Sequence, residues 1–324
     1  MMYENKLAAI FVSCTMGCVM EAGSSAAADL RPEIAPLAAA AAPAFFLFSD
    51  TQVSYFYIAN GREPGVTGGK AGASVDGRPI PKQVLNISHA DAWALGTNFF
   101  SLDILNSGSQ DPAGTGAPRF ELFDHGATEA YGIYRGTIGG NEAFNTKLFT
   151  ISGAIKDISL GYGFDLSTKN TQFGPETRKL LAGAVFSFDV PAGFMNLGIY
   201  VQKEWNRNGF VTEPFRSVVF DAVPHFELVY NFPLTFTGLP LSIAGFNNIN
   251  LPKGRDGFGS QTAHEFLSRT NLVLDVGKLV WDRPNRLDAF IGFQYWRNKF
   301  GNDQRFVPGS EEKTFLAGIS VHVF

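Results

Sequence analysis

The sequence predicts an all-β fold, a 12-stranded antiparallel β-barrel that spans a membrane, on three observations. Apolar and polar residues alternate with a period of two, most clearly in the last stretch, Thr314–Phe324. Only 17% of the 324 residues are charged while 14% are aromatic, a composition that suits a lipid-facing surface. After the amino-terminal segment no apolar run reaches about 18 residues, so no transmembrane helix is expected. A barrel also pairs the last strand with the first, which removes an exposed sheet edge.

The amino-terminal residues 1–28 have the composition of a secretory signal peptide. Lys6 precedes the apolar run Leu7–Met20, and residues 26–28, all alanine, satisfy an A-x-A cleavage rule. Cleavage after Ala44 is the weaker alternative. We therefore predict a signal peptide over 1–28, an Ala/Pro-rich flexible lead over 29–45 and an outer-membrane β-barrel over 46–324.

Twelve alternating segments follow one another, and turn-forming residues separate them. Their predicted bounds are 46–58, 82–92, 97–105, 119–137, 149–166, 178–190, 194–205, 215–232, 239–250, 264–276, 286–298 and 314–324. A long Gly/Pro loop, 59–81, ends the first segment and a tight turn at 93–96 ends the second. The fourth segment is interrupted near 125–126, and the Pro-Ala-Gly at 191–193 turns the sixth into the seventh.

The order of long and short connections predicts how the barrel is oriented. Long loops follow the odd-numbered strands, so both termini lie with the short turns, which are periplasmic in bacterial outer-membrane barrels. Pro224 lies inside the eighth segment and cannot donate a ladder hydrogen bond, so we expect a bulge or a break there.

Twelve strands predict a narrow lumen, between the filled interior of about eight strands and the open channel of about sixteen. A charge that faces mid-bilayer lipid costs about 2–4 kcal/mol, which assigns Arg135 and Arg269 to the inner face. The same alternation yields a set of candidate solute contacts in the lumen: Asp50, Phe99, Asp103, Tyr200, Glu204, Asp221, Arg269, Gln294 and Trp296. The competing interpretation is that such charges pair with each other and only fill space.

A binding site for a nucleoside requires aromatic side chains next to hydrogen-bonding groups. Stacking of a base on an aromatic ring is worth about 1–3 kcal/mol, and carboxylates and amides accept hydrogen bonds from ribose hydroxyls. Several modest contacts suit a channel better than one tight site, because the solute must also leave.

Other functions are poorly supported. The net charge of −4 gives no reason to expect a nucleic-acid polymer as partner. The five histidines are scattered, and Cys14 and Cys18 lie in the signal segment, so neither a metal site nor a disulfide is expected. A lipoprotein anchor at one of these cysteines is a weaker alternative, since the residues before them fit poorly.

Catalysis and cofactors are not expected either. A G-x-S-x-G elbow is absent. Along one strand Asp221 and His225 would stand about 13 Å apart, which is beyond hydrogen-bond reach, and His225 and Glu227 about 7 Å apart, which is too far unless their long side chains bend. A barrel hydrolase therefore remains only a third hypothesis.

The stretch Val84–Asp103 resembles the nucleoside-specific outer-membrane channel family of the Tsx type, which includes related phage-receptor porins. The resemblance lies in His89-Ala90, Trp93, Gly96, Asn98-Phe99-Phe100 and Asp103, with weaker similarity at 50–57, 191–194 and 294–301. It implies a twelve-stranded barrel in the outer membrane of a Gram-negative bacterium, which passes nucleosides by facilitated diffusion.

The resemblance also implies partners and leaves alternatives. The partners would be nucleosides, outer-membrane lipid, the barrel-assembly machinery and phage. Two features depart from the family pattern, the long loop 61–81 and Ala192, which interrupts a Pro-Gly pair. The alternatives are a non-selective small porin and a plugged structural or phage-receptor barrel.

Overall fold

The architecture was obtained from a computed structural model that describes residues 45–66, 77–108, 111, 126–171 and 174–323. The predicted signal peptide, its two cleavage sites, nearly all of the flexible lead and much of loops 59–81 and 106–118 lie outside these residues. In the described ranges no helix is long and apolar enough to cross a membrane.

The described residues form twelve long antiparallel strands and one short one. Their bounds are β1 Phe46–Gly61, β2 Ile80–Trp93, β3 Gly96–Ser107, β4 Thr128–Gly139, β5 Ile155–Lys169, β6 Glu176–Phe188, β7 Phe194–Arg207, β8 Ser217–Val219, β9 Val223–Pro233, β10 Leu241–Asn250, β11 Glu265–Asp275, β12 Leu287–Arg297 and β13 Glu311–Val323. Two short helices, α1 Gly140–Phe144 and α2 Val276–Trp281, and two 3₁₀ turns, Thr235–Thr237 and Lys299–Gly301, lie between strands.

The sheet closes on itself, so the predicted 12-stranded barrel is confirmed. Each long strand pairs with its neighbours in the chain, β13 pairs with β1, and β7 pairs with β9 as well as with β6. The three-residue β8 extends the pairing of β7 beyond β9. Both described ends of the barrel, at Phe46 and Val323, lie at one rim, which we call the termini end, and the opposite rim is the long-loop end.

The predicted break near Pro224 is confirmed, and the start of the fifth strand differs from the prediction. The ladder is interrupted at residues 220–222, directly before β9. The start of the fourth predicted segment, 119–125, lies outside the described residues. The fifth was predicted from residue 149 but begins at Ile155, because Gly153 adopts φ +74° and turns the chain back on itself.

Side chains alternate between the two faces as the sequence predicts. On β1 the inward Ser54, Phe56 and Ile58 are buried, whereas the outward Tyr55 and Tyr57 are about half exposed. Register carries this parity around the barrel, since directly opposed residues share a face. The outer surface is consequently apolar and the inner one largely polar.

Two glycines on the inner face leave space for the ring of Tyr200. Tyr200 is buried beside Leu181 and Val185. A Cβ atom at Gly198 would lie 2.1 Å from the Tyr200 ring, and one at Gly161 would lie 2.8 Å from it. Glycine at these two positions therefore gives the ring its space.

Candidate functional site

The register places eight of the nine predicted lumen residues on the inner face of the barrel. These are Asp50, Phe99, Asp103, Tyr200, Glu204, Arg269, Gln294 and Trp296. The ninth, Asp221, was predicted on a strand, and that placement is wrong. It lies exposed in the interruption before β9, where its backbone N–H donates to the Lys253 carbonyl at 2.9 Å instead of continuing the ladder.

Arg135 crosses the interior from β4 to β9. Its Nη1 donates to Asp165 on β5 at 2.7 Å, while its Nε and Nη2 both lie 3.1 Å from Oε2 of Glu227 on β9. The Tyr131 hydroxyl donates to Asp165 at 2.8 Å, and Lys179 lies 3.6 Å from the same carboxylate. Charges paired in this way fill the lumen on the β4–β9 side.

The side chain of His225 belongs to the same region. Its Nε2 lies 3.7 Å from Glu227, and its Nδ1 is 2.6 Å from Oδ1 of Asn250. Residues two apart on a strand share a face, so the two side chains converge, but 3.7 Å is beyond hydrogen-bond distance and Nε2 has no hydrogen-bond partner among the described residues. The expectation that His225 and Glu227 do not form a catalytic pair is therefore not contradicted. Glu227 is already bound by Arg135, so this contact is structural.

The opposite wall holds the second inward arginine. Arg269 donates through Nε to Gln294 at 2.7 Å, and its guanidinium carbon lies 5.5 Å from the Phe56 ring and 5.7 Å from the Phe246 ring. Both distances are within the range of cation–π contact. Gln294 in turn donates to Glu312 at 2.5 Å.

A polar ladder lies nearby on β2 and β3. The Asn86 amide donates to Ser101 at 2.7 Å and to Asp103 at 2.6 Å, and Phe99 is next on the same face of β3. All four side chains remain partly exposed. This arrangement places an aromatic ring beside hydrogen-bonding groups on an open part of the inner wall.

Several predicted contacts are occupied by protein at the long-loop end. Glu204 is buried and lies 2.5 Å from Lys253, which enters from the loop after β10. Trp296 donates to Glu265 at 2.8 Å, and the Lys299 ammonium stands 4.4 Å from the centre of the Trp296 ring. For Glu204 and Gln294, which are both buried and bound to other side chains, the interpretation as space-filling pairs is the better one, while the buried Tyr200 ring packs on Leu181 and Val185.

A group of ionic side chains lies at the long-loop end, and it was not predicted from the sequence. We call this group the mouth cluster, and it consists of Glu63, Lys82, Lys169, Lys299 and Glu312. Glu63 follows β1 and forms an ion pair and hydrogen bond with Lys82, while Lys169 and Lys299 lie 3.4 Å and 3.7 Å from it. Lys299 also lies 3.0 Å from Glu312. Of these residues only Lys82 lies inside a predicted strand segment, and the other four lie beyond the ends of theirs, so the predicted alternation did not reach them.

Electrostatics at Glu63 favour the charged form. Burial by itself would raise the pKa of the Glu63 carboxyl, but the three neighbouring ammonium groups outweigh burial and hold that pKa well below its usual range. The backbone after β1 is held at the mouth cluster as well, because the Arg62 N–H donates to Glu312 at 2.7 Å.

At the termini end, Asp50 belongs to a cluster around the closing strand. His322 lies 2.9 Å from Asp50 through Nδ1 and 3.2 Å from Asp288 through Nε2, and Gln52 donates to Asp50 at 2.7 Å. These contacts join β13 to β1 and β12. Among the described residues no group of three or more His, Cys, Asp or Glu side chains is arranged so that it could hold a metal ion.

No family model and no curated protein matches the chain. Solved structures with similar folds include the translocator domain of the autotransporter NalP from Neisseria meningitidis, with a TM-score of 0.40, 11% identity and coverage of 84% of this chain and 88% of that one. A BenF-like porin from Pseudomonas fluorescens has a TM-score of 0.38 and 8% identity, over 85% of this chain and 98% of that one. Similarity at this level does not establish a family.

Proposed function

We propose that this chain is an outer-membrane channel for small solutes, and that nucleosides are the solutes it passes. The observation that carries the proposal is a closed barrel with an apolar outside and a partly open polar and aromatic inner wall. Outward side chains such as Leu180, Ile291 and Phe315 are 56%, 62% and 69% exposed, which water would disfavour and acyl chains would not.

The inner wall supports the nucleoside assignment. Phe99 offers a ring face for a base, and the Asn86, Ser101 and Asp103 ladder offers acceptors and donors for ribose hydroxyls. Arg269, between the Phe56 and Phe246 rings, supplies donors for exocyclic base oxygens on the facing wall. These contacts are modest and spread out, as passage requires.

Liposome swelling and conductance in planar bilayers test this function. We expect adenosine and thymidine to enter faster than sugars of equal size and to block the single-channel current. Phe99→Ala should weaken the adenosine block roughly 5- to 150-fold, the range for loss of one stacking contact of about 1–3 kcal/mol. The matched control is Phe100→Ala on the outer face of the same strand, which should leave the block unchanged.

Two results would redirect the assignment. Equal swelling rates for nucleosides and sugars would leave a non-selective small porin. The buried mouth cluster favours a second candidate, a plugged structural or phage-receptor barrel. The absence of any conductance from a correctly folded barrel would support that candidate and exclude the channel.

A further inference from the structure

A pocket of about 520 Å³ lies on the outside of the barrel wall at the long-loop end, and we call it the rim pocket. Ile249 and Phe266 form its apolar floor, and Arg297, His264 and Arg305 stand around it. Ile249, Phe266 and Arg297 are opposed in register on three adjacent strands and share the outer face, so this wall of the pocket lies outside the lumen.

The rim pocket begins where the apolar band of the outer surface ends. Along β12 the outward residues run from Leu287 through Ile291 and Phe293 to Tyr295 and then Arg297. This order, with apolar side chains first, then an amphipathic ring and then a cation, is expected on passing from the acyl chains to the lipid headgroups. In the proposed placement the pocket therefore lies at headgroup height.

The charges of the pocket suit an anionic headgroup. Arg297 and Arg305 are both exposed. Arg305 donates to Asp303 through Nη2 at 2.6 Å and through Nε at 3.0 Å, and these hydrogen bonds hold the Arg305 side chain in place. The other acid at the pocket, Glu265, is buried and already accepts hydrogen bonds from Trp296 and an asparagine amide. Asp303 occupies the Nε and Nη2 edge of Arg305, so the cationic groups left for an outside ligand are Arg297 and the Nη1 side of Arg305.

We propose that the rim pocket binds the phosphorylated headgroup of an outer-leaflet lipid, with the first acyl carbons on Ile249 and Phe266. Planar guanidinium groups bind phosphate oxygens in a bidentate manner, and an apolar floor next to them fits a lipid better than a free anion. The inference rests on the outer-membrane placement proposed above and on the orientation predicted from the loop lengths, in which the long-loop end faces outward, but not on passage of any solute.

Native mass spectrometry of the detergent-purified full chain tests the proposal, with bis-phosphorylated lipid A and its dephosphorylated form as probes. We expect the phosphorylated lipid to remain bound preferentially. The double variant Arg297→Ala/Arg305→Ala should lose roughly 30-fold in affinity for it, from about 1 kcal/mol per arginine near a charged lipid surface. Arg297→Lys/Arg305→Lys should retain part of that affinity.

The matched control is Arg178→Ala/Arg207→Ala, which removes two exposed outward arginines elsewhere on the wall. Equal binding of the two lipids by the wild type, an equal loss in the control, or full displacement by inorganic phosphate would each overturn the proposal. Electrophoresis of unheated samples, in which a folded barrel migrates differently from the unfolded chain, verifies that every variant is folded. Because the readout is lipid retention, a channel that conducts nothing leaves this result interpretable.

Discussion

The substitution Glu63→Gln keeps the shape of the side chain and removes the charge that three lysines share. Two of those lysines retain another carboxylate, at 2.7 Å and 3.0 Å. Lys82 exchanges its carboxylate acceptor for a neutral amide oxygen, and the Glu129 carboxylate lies farther away, at 3.8 Å. The free energy of unfolding should therefore fall by about 1.5–3 kcal/mol, the contribution of one hydrogen bond to a charged group. It should not fall by the roughly 3–5 kcal/mol expected when a buried charge is left without any partner.

A loss of this size raises the population in which the chain after β1 leaves the mouth by roughly 10- to 150-fold. Native-state amide hydrogen exchange measures that population at Gly65, whose N–H donates to the Pro308 carbonyl at 2.8 Å and exchanges when the two loops separate. Glu176→Gln, at an exposed ion pair with Arg207, is the control and should change exchange at Gly65 less than twofold. Exchange within twofold of the wild type in Glu63→Gln would refute the assigned role of Glu63.

The pH dependence of the same exchange follows from the lowered pKa of Glu63. Its contribution is fully present above the unfolded pKa of about 4.3 and is lost only as the pH falls through the lower folded value. Exchange at Gly65, corrected for the intrinsic rate, should therefore stay level from about pH 8 to pH 5. A rise in corrected exchange within that window would contradict this reasoning.

Three further outcomes are expected. Gly198→Val would displace the Tyr200 ring and cost about 1–3 kcal/mol, seen as a lower temperature of the folded-to-unfolded gel shift; an unchanged temperature would show that the ring can move aside. Arg135→Ala leaves Glu227 buried without its cation and should lower the free energy of unfolding in urea by about 3–5 kcal/mol, with partial rescue by lysine. Inward carboxylates outnumber inward cations on the described strands, so the reversal potential in a KCl gradient should indicate a preference for cations. The magnitude of this reversal potential should be smaller in Asp103→Asn, and a preference for anions would contradict the prediction.

Strand number, side-chain parity and the break before Pro224 could be predicted from the sequence because each depends on neighbouring residues. Alternation is a property of residues i and i+2, and a ladder break follows from one missing N–H. Parity was sufficient to place Phe99, Asp103 and Arg269 on the inner face. It failed for Asp221, because the chain had already left the ladder there for a backbone contact with the loop after β10.

The partners of inward side chains were decided only in the closed barrel. Arg135 meets Glu227 across three intervening strands, and Glu63 meets lysines from β2, β5 and the loop after β12. These contacts depend on the stagger with which the sheet closes and on how loops return to its mouth, and neither quantity is encoded in the spacing of residues along one strand. Local alternation thus determined which residues face inward, while closure of the barrel determined which of them bind one another.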